Sequence, residues 1–77
     1  MDKNEFIRNL ADQFDDTELE EFSMEAKFQD LEEWSSLVGL SILNMLAKKY
    51  AVRLTYTELI AQSTVGELFD LVTAKAE

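Results

Sequence analysis

The sequence contains no cysteine, no histidine and no proline, and only two glycines. Each absence removes a class of chemistry. Without cysteine there is no disulfide, no thiol nucleophile and no thiolate metal site. Without histidine the commonest general base and the commonest metal ligand are missing. Most hydrolase and zinc-site mechanisms therefore lack their parts, and a non-enzymatic role is the expectation. The lack of proline and the scarcity of glycine favour helices joined by ordinary loops. No apolar run approaches the about 20 residues that a bilayer-spanning helix needs. The opening Met1-Asp2-Lys3-Asn4-Glu5 is polar and acidic, unlike a signal peptide, so a cytoplasmic location is expected.

What is present is a short, acidic chain. Its 77 residues suit one domain, residues 1–77. A domain of this size buries only about 60% of its unfolded surface, which leaves little room for a deep catalytic cleft beside a core. The net charge of −9 argues against nucleic acid and anionic membranes as partners. The charge is uneven. Residues 1–33 carry 12 acidic and 3 basic side chains, whereas residues 34–77 carry 4 of each. Two readings fit this: a solvated face that keeps a small domain soluble, and a surface that steers basic partners.

The longest apolar stretch is the centre of the chain, Trp34 to Tyr50. It is too long for a typical strand of about 4–8 residues, so a helix is expected from Ser36 to Tyr50. Ser35 or Ser36 can cap its N-terminus through a hydroxyl that accepts a backbone N–H bond. On a helical wheel Val38, Ile42, Leu43, Met45, Leu46 and Tyr50 share a broad apolar arc. An arc this wide predicts several packing neighbours, hence the central helix of a bundle. Ser41, Asn44 and Lys48 form the polar wedge opposite. Leu37 projects from the middle of that wedge and Leu40 sits at its edge. The face of Leu37, Leu40, Ser41, Asn44 and Lys48 beside a serine at the helix start is a candidate docking surface. Isolated exposed leucines without a role are equally common.

The other elements follow from their periodicity and caps. Asp2 and Glu5 have capping-box spacing, and Phe6, Ile7, Leu10 and Phe14 recur at helical intervals, which predicts a first helix over 3–14. Residues 15–33 are read as a long ordered loop, with a short helical turn at 18–22 and apolar residues that pin it to the bundle. Such a loop usually has a functional or topological reason. Asp12, Asp15 and Asp16 lack the ligand spacing and turn glycine of a calcium loop, so no metal is expected. Ala51 to Leu54 reads as an extended connector. Thr55 with Glu58 predicts a short helix over 56–61. Thr64 with Glu67 predicts a last helix over 65–75, with Lys75 in its final turn, where a cation suits the helix dipole. The expected fold is all-α, a bundle of three main helices and one short one.

Three segments in order resemble the acyl carrier protein family. Phe28-Gln29-Asp30-Leu31-Glu32-Glu33-Trp34-Ser35-Ser36-Leu37 is similar to the segment around that family's modified serine. Tyr50-Ala51-Val52-Arg53-Leu54 is similar to the exit from its second helix. Ser63-Thr64-Val65-Gly66-Glu67-Leu68 is similar to the start of its last helix. The resemblance covers residues 28–72 best. It implies a four-helix acyl-carrier-like bundle in which a phosphopantetheinyl transferase attaches 4′-phosphopantetheine, taken from coenzyme A, to Ser36. The arm's thiol would then carry an acyl or aminoacyl group as a thioester, as in fatty acid or polyketide biosynthesis. That would explain a chain with no cysteine or histidine of its own. The implied partners are the transferase and acyl-loading and acyl-processing enzymes, met by a monomer through Ser35, Leu37, Leu40, Ser41, Asn44 and Lys48. The lack of linkers points to a free-standing carrier. Met45, Leu46, Leu54, Leu59 and Leu68 are residues that would line an interior acyl chain or simply fill the core.

The chain departs from the family in two places. Ser35 stands where the family usually has Asp, so a transferase that reads that carboxylate would bind more weakly. Residues 36–50 carry only Lys48 and Lys49 as charges, whereas the family's second helix is usually acidic. The alternative is an unmodified helical interaction module of the same fold. An enzyme built on a carboxylate pair such as Glu32 and Glu33 is the third reading.

Overall fold

A computed structural model describes residues 2–76. Four α-helices carry the chain: α1 (Lys3–Ala11), α2 (Ser36–Tyr50), α3 (Tyr56–Ile60) and α4 (Val65–Ala76). Two single 3₁₀ turns, Leu19–Glu21 and Phe28–Asp30, lie in the connection between α1 and α2. No strand occurs among the described residues. α2 is the hub and packs on α1, α3 and α4, while α1 also packs on α4. The all-α bundle of three main helices and one short one is thus the observed architecture. None of these helices is long and apolar enough to cross a membrane.

The helix starts follow from their caps. The Asp2 carboxylate accepts from the Asn4 N–H at 2.8 Å and the Glu5 N–H at 3.4 Å. Thr55 and Glu58 form a complete reciprocal box, with bonds of 3.1 and 2.9 Å. At α4, Thr64 accepts from the Glu67 N–H at 3.1 Å, and the Glu67 carboxylate reaches back to the Ser63 N–H at 2.8 Å. These bonds satisfy donors that a helix N-terminus cannot satisfy internally.

The core is one cluster with members from every α-helix and from the loop. Phe6, Leu10, Phe28, Ile42, Leu46, Leu59, Leu68 and Val72 are fully buried. Phe6 sets its ring edge-on to Phe69 at 5.2 Å, a favoured geometry for aromatic pairs. The one buried polar side chain among the described residues, Asn9, donates to the Tyr50 hydroxyl at 2.9 Å. That bond offsets the cost of taking an amide out of water.

Two expectations need correction. The first helix ends at Ala11, not at residue 14. Phe14 matches the periodicity because it does reach the core, but from a turn in which its N–H bonds to the Ala11 carbonyl at 2.9 Å. It packs there on Phe22, ring centres 5.0 Å apart. The connection over residues 15–33 is also more structured than a pinned loop with one turn. Its second 3₁₀ turn plants Phe28 in the core, and Gln29 donates to the Ile60 and Gln62 carbonyls at 2.9 and 2.8 Å. One side chain thereby satisfies two carbonyls at the end of α3.

The connection also closes the start of α4. The Val65 and Gly66 N–H groups donate to the Ala26 and Met24 carbonyls at 2.9 and 2.8 Å. A side chain at position 66 has no room, because its Cβ would stand 2.9 Å from the Met24 carbonyl oxygen. At the end of α2, Ala51 adopts the left-handed conformation, φ 56°. Its N–H and that of Val52 both bond to the Leu46 carbonyl and stop the helix.

Candidate functional site

The start of α2 separates its two serines. Ser35 is extended, φ −157° and ψ 170°, and its Oγ accepts the Val38 N–H at 3.3 Å. Ser35 is therefore the cap, and Ser36 is the first helical residue. The Ser36 hydroxyl is exposed and is not used for capping. Among the described residues its one hydrogen-bond contact is with the Tyr56 hydroxyl, which donates across 3.5 Å. That is long for an O–H···O bond, so the Ser36 oxygen is only weakly engaged. The N-terminal end of a helix also favours a negative group placed there.

Three residues hold this end of α2 against α3. Gly39 is buried one turn after Ser35, and its N–H makes a 2.9 Å bond to the Ser35 carbonyl. A Cβ at position 39 would stand 2.8 Å from Tyr56 Cε1 and 3.1 Å from the Trp34 ring. The missing side chain is what admits both rings to the first turn of α2. Trp34 is in turn set edge-on to Phe28 at 5.6 Å. Tyr56 opens α3, whose start is fixed by the Thr55–Glu58 box. Lys75 of α4 adds an ion pair to Glu58 at 3.1 Å. The Thr55 N–H, followed by Lys75, holds the Glu58 carboxyl below its ordinary range.

The predicted docking face is present as a surface. Leu37 is 76% exposed and Leu40 is 55% exposed. Ser41, Asn44 and Lys48 are exposed along the same side of α2. At 1.5 Å per residue the row from Leu37 to Lys48 runs about 16 Å. The first turn of α2 contains no acidic residue. Apolar surface, not charge, makes up the part of this face nearest Ser36.

The interior residues tell a different story. Leu46, Leu59 and Leu68 are fully buried, Met45 is 4% exposed and Leu54 is half-buried against the core. They fill the space between the helices as packed core. An open groove of about 520 Å³ lies away from them, between the outer side of α1 and the loop, beside Arg8, Phe14 and Leu19.

Glu33, one half of the proposed carboxylate pair, has a structural task. Its carboxylate accepts the Asp15 N–H at 3.0 Å, the Asp16 N–H at 2.8 Å and the Thr17 hydroxyl. It ties the first residues of the loop to the last residues before α2. The Thr17 hydroxyl is the main cause that holds its carboxyl below the ordinary 4.5, with the backbone N–H groups adding to it. A general acid for neutral pH needs the opposite shift. Among the described residues no three acidic side chains are grouped so as to hold a metal ion.

A pH prediction follows. A carboxyl whose folded pKa is depressed adds stability above its unfolded pKa, and that stability is lost as pH falls through the folded value. Glu33→Gln is expected to unfold at lower urea than the parent at pH 7. The gap narrows once the pH drops below the ordinary carboxyl value. Urea midpoints for both proteins at pH 7, 5 and 3 check this, and a gap that is constant across the series would remove the charge from the account.

The sequence pointed to Ser36, Leu37, Leu40, Ser41, Asn44 and Lys48, and the structure brings them together on one end and side of α2. Ser35 adjoins them as the cap. Sequence reasoning missed Tyr56 and Gly39, and it read Glu33 as half of a carboxylate pair, not as the tie to residues 15–17. A lone glycine inside a helical pattern was the one signal of a close approach at position 39. No family model matches this chain, and neither do curated proteins or solved structures.

Proposed function

We propose that this protein is an acyl carrier whose attachment point is Ser36. The observation that carries the reading is the division of labour at the start of α2. Ser35 takes the capping role, and the Ser36 hydroxyl stays exposed and unspent beside an exposed apolar face. The residues present suit a 4′-phosphopantetheine arm. Ser36 offers a primary hydroxyl, and the first turn of α2 favours the phosphate charge through its dipole. In the loading step the Ser36 oxygen bonds to the β-phosphorus of coenzyme A, and the bond to adenosine 3′,5′-bisphosphate breaks. The hydroxyl proton passes to a base on the transferase. The bound arm supplies the thiol that the chain lacks, for a thioester-held acyl or aminoacyl group. The chain itself contributes no catalytic residue and is not an enzyme in this reading.

The test is intact mass after incubation with coenzyme A and a broad-specificity phosphopantetheinyl transferase. A single phosphopantetheine addition is expected. No addition to folded protein by several transferases would leave the second reading, an unmodified interaction module. Ser35 in place of a carboxylate before Ser36 is the feature that favours that alternative.

Partner enzymes dock, in this reading, on Leu37, Leu40, Asn44 and Lys48 and present an apolar or acidic patch. Leu37→Asp with Leu40→Asp is expected to weaken loading by the transferase at least about tenfold, through loss of two apolar anchors. Folding should be unchanged, because both side chains are exposed. Loading that depends only on the acidic residues of 15–33 in a charge-reversal scan would overturn this placement.

A further inference from the structure

Two other surface features lie away from Ser36. The groove beside Leu19 is open, and Arg8 stands among its acidic lining residues. The acidic recess around Glu32 and Glu33 is already used to hold the loop. The contact between Tyr56 and Ser36 goes further than either.

We propose that Tyr56 is the positioning residue for the chemistry at Ser36, its hydroxyl facing the serine oxygen before transfer and donating to the attached phosphate afterwards. This rests on the carrier reading of Ser36. The two hydroxyls belong to residues 20 apart in sequence, yet the fold sets them 3.5 Å apart with the tyrosine as donor. The arrangement is held from several sides. Gly39 leaves the space for the ring, Trp34 occupies the other side of that space, and the Thr55–Glu58–Lys75 connection fixes the start of α3.

The distance itself carries meaning. A bond of 3.5 Å is too long to hold the serine strongly. A charge-assisted O–H···O⁻ bond closes to about 2.5–2.7 Å. An anionic oxygen attached beyond Ser36 Oγ is a better acceptor than the neutral hydroxyl now facing Tyr56. The tyrosine therefore interacts weakly with the substrate hydroxyl and more strongly with the charge that develops on transfer, which is the condition for lowering a barrier. The step is the one already written: the Ser36 oxygen gains the phosphorus, adenosine 3′,5′-bisphosphate leaves, and the proton goes to the transferase. Tyr56 keeps its proton throughout.

The experiment compares the full chain before and after loading, with Tyr56→Phe beside it. The phosphorus-31 resonance of the attached phosphodiester is compared between the loaded parent and loaded Tyr56→Phe. A hydrogen bond donated by the Tyr56 hydroxyl to a phosphate oxygen is expected to shift that resonance in the parent relative to the variant, which lacks the donor. Tyr56→Phe is expected to lower the transferase kcat about three- to tenfold, the worth of one hydrogen bond, with KM unchanged. Circular dichroism of Tyr56→Phe should match the parent.

The outcomes separate. A mass addition with the same phosphorus-31 resonance in parent and Tyr56→Phe, and normal loading of Tyr56→Phe, overturns the role of Tyr56 and leaves the carrier reading intact. No mass addition to the parent overturns both. A fall in KM-limited loading with kcat unchanged assigns Tyr56 to transferase docking and also overturns the positioning role.

Discussion

Phe28→Ala is expected to remove about 3–5 kcal/mol of folding stability, the range for emptying a buried phenylalanine site. A domain of this length has about 4–12 kcal/mol in total. The loss is large because Phe28 is fully buried and stands edge-on to Trp34. Its 3₁₀ turn also presents Gln29 to the end of α3. Thermal unfolding should show a fall in Tm of at least about 12 °C. Leu19→Ala, in the other 3₁₀ turn of the same connection, is the control. Leu19 is 48% exposed, and its loss should cost within about 0.5 kcal/mol. If Phe28→Ala also costs under about 1 kcal/mol, the connection is a strap laid over a finished bundle. The expected result makes it part of the core, and with it the support beneath Trp34 and Ser36.

That connection is also where the sequence was hardest to read. Phe28 sits among acidic and polar neighbours with no helical or alternating period, so its apolar character marks it as one of the pins of the loop but not as more deeply buried than Leu19. Its burial comes from contact with residues far along the chain. Glu33 is similar, because its partners lie 16 to 18 residues earlier. α2 was legible for the opposite reason. Fifteen residues sample every direction of a helical wheel, so its periodicity reports burial directly. Ile42, Met45 and Leu46 are buried, and Leu37 and Leu40 are exposed, as their wheel positions require. The caps at Asp2, Thr55 and Thr64 were legible because capping chemistry is confined to about four residues. Phe14 shows the limit of periodicity. It lies four residues beyond Leu10 and inside the core, yet a turn places it there.

The site divides the same way. The exposed face of α2 follows from local pattern. The choice between Ser35 and Ser36 as the cap does not, since both carry the same hydroxyl and both precede the apolar run. Backbone conformation decides it, through the extended ψ of Ser35 and the helical start at Ser36. The role of Tyr56 depends on α3 folding back onto α2, and a pairing at that separation has no local signature.

The two serines should therefore fail in opposite ways. Ser35→Ala is expected to lose about 0.5–2 kcal/mol, the usual cost of deleting a serine N-cap, because the Val38 N–H loses its partner. Its hydroxyl is not the nucleophile, so loading with phosphopantetheine should still go to completion at a temperature where the variant is folded. Ser36→Ala should show the reverse. An exposed serine in the first helical turn contributes little, and alanine is the better helix former, so stability should stay within about 0.5 kcal/mol of the parent. Loading should be abolished, since no other hydroxyl occupies that position. Urea unfolding and intact mass on the same samples read both quantities at once. The crossing is what makes the experiment decisive. A variant that merely misfolds loses stability and loading together, whereas here each variant keeps what the other loses. If Ser35→Ala stayed folded but unloaded while Ser36→Ala loaded normally, the attachment point would move to Ser35. The cap would then be released on modification, and α2 would have to begin differently in the loaded protein.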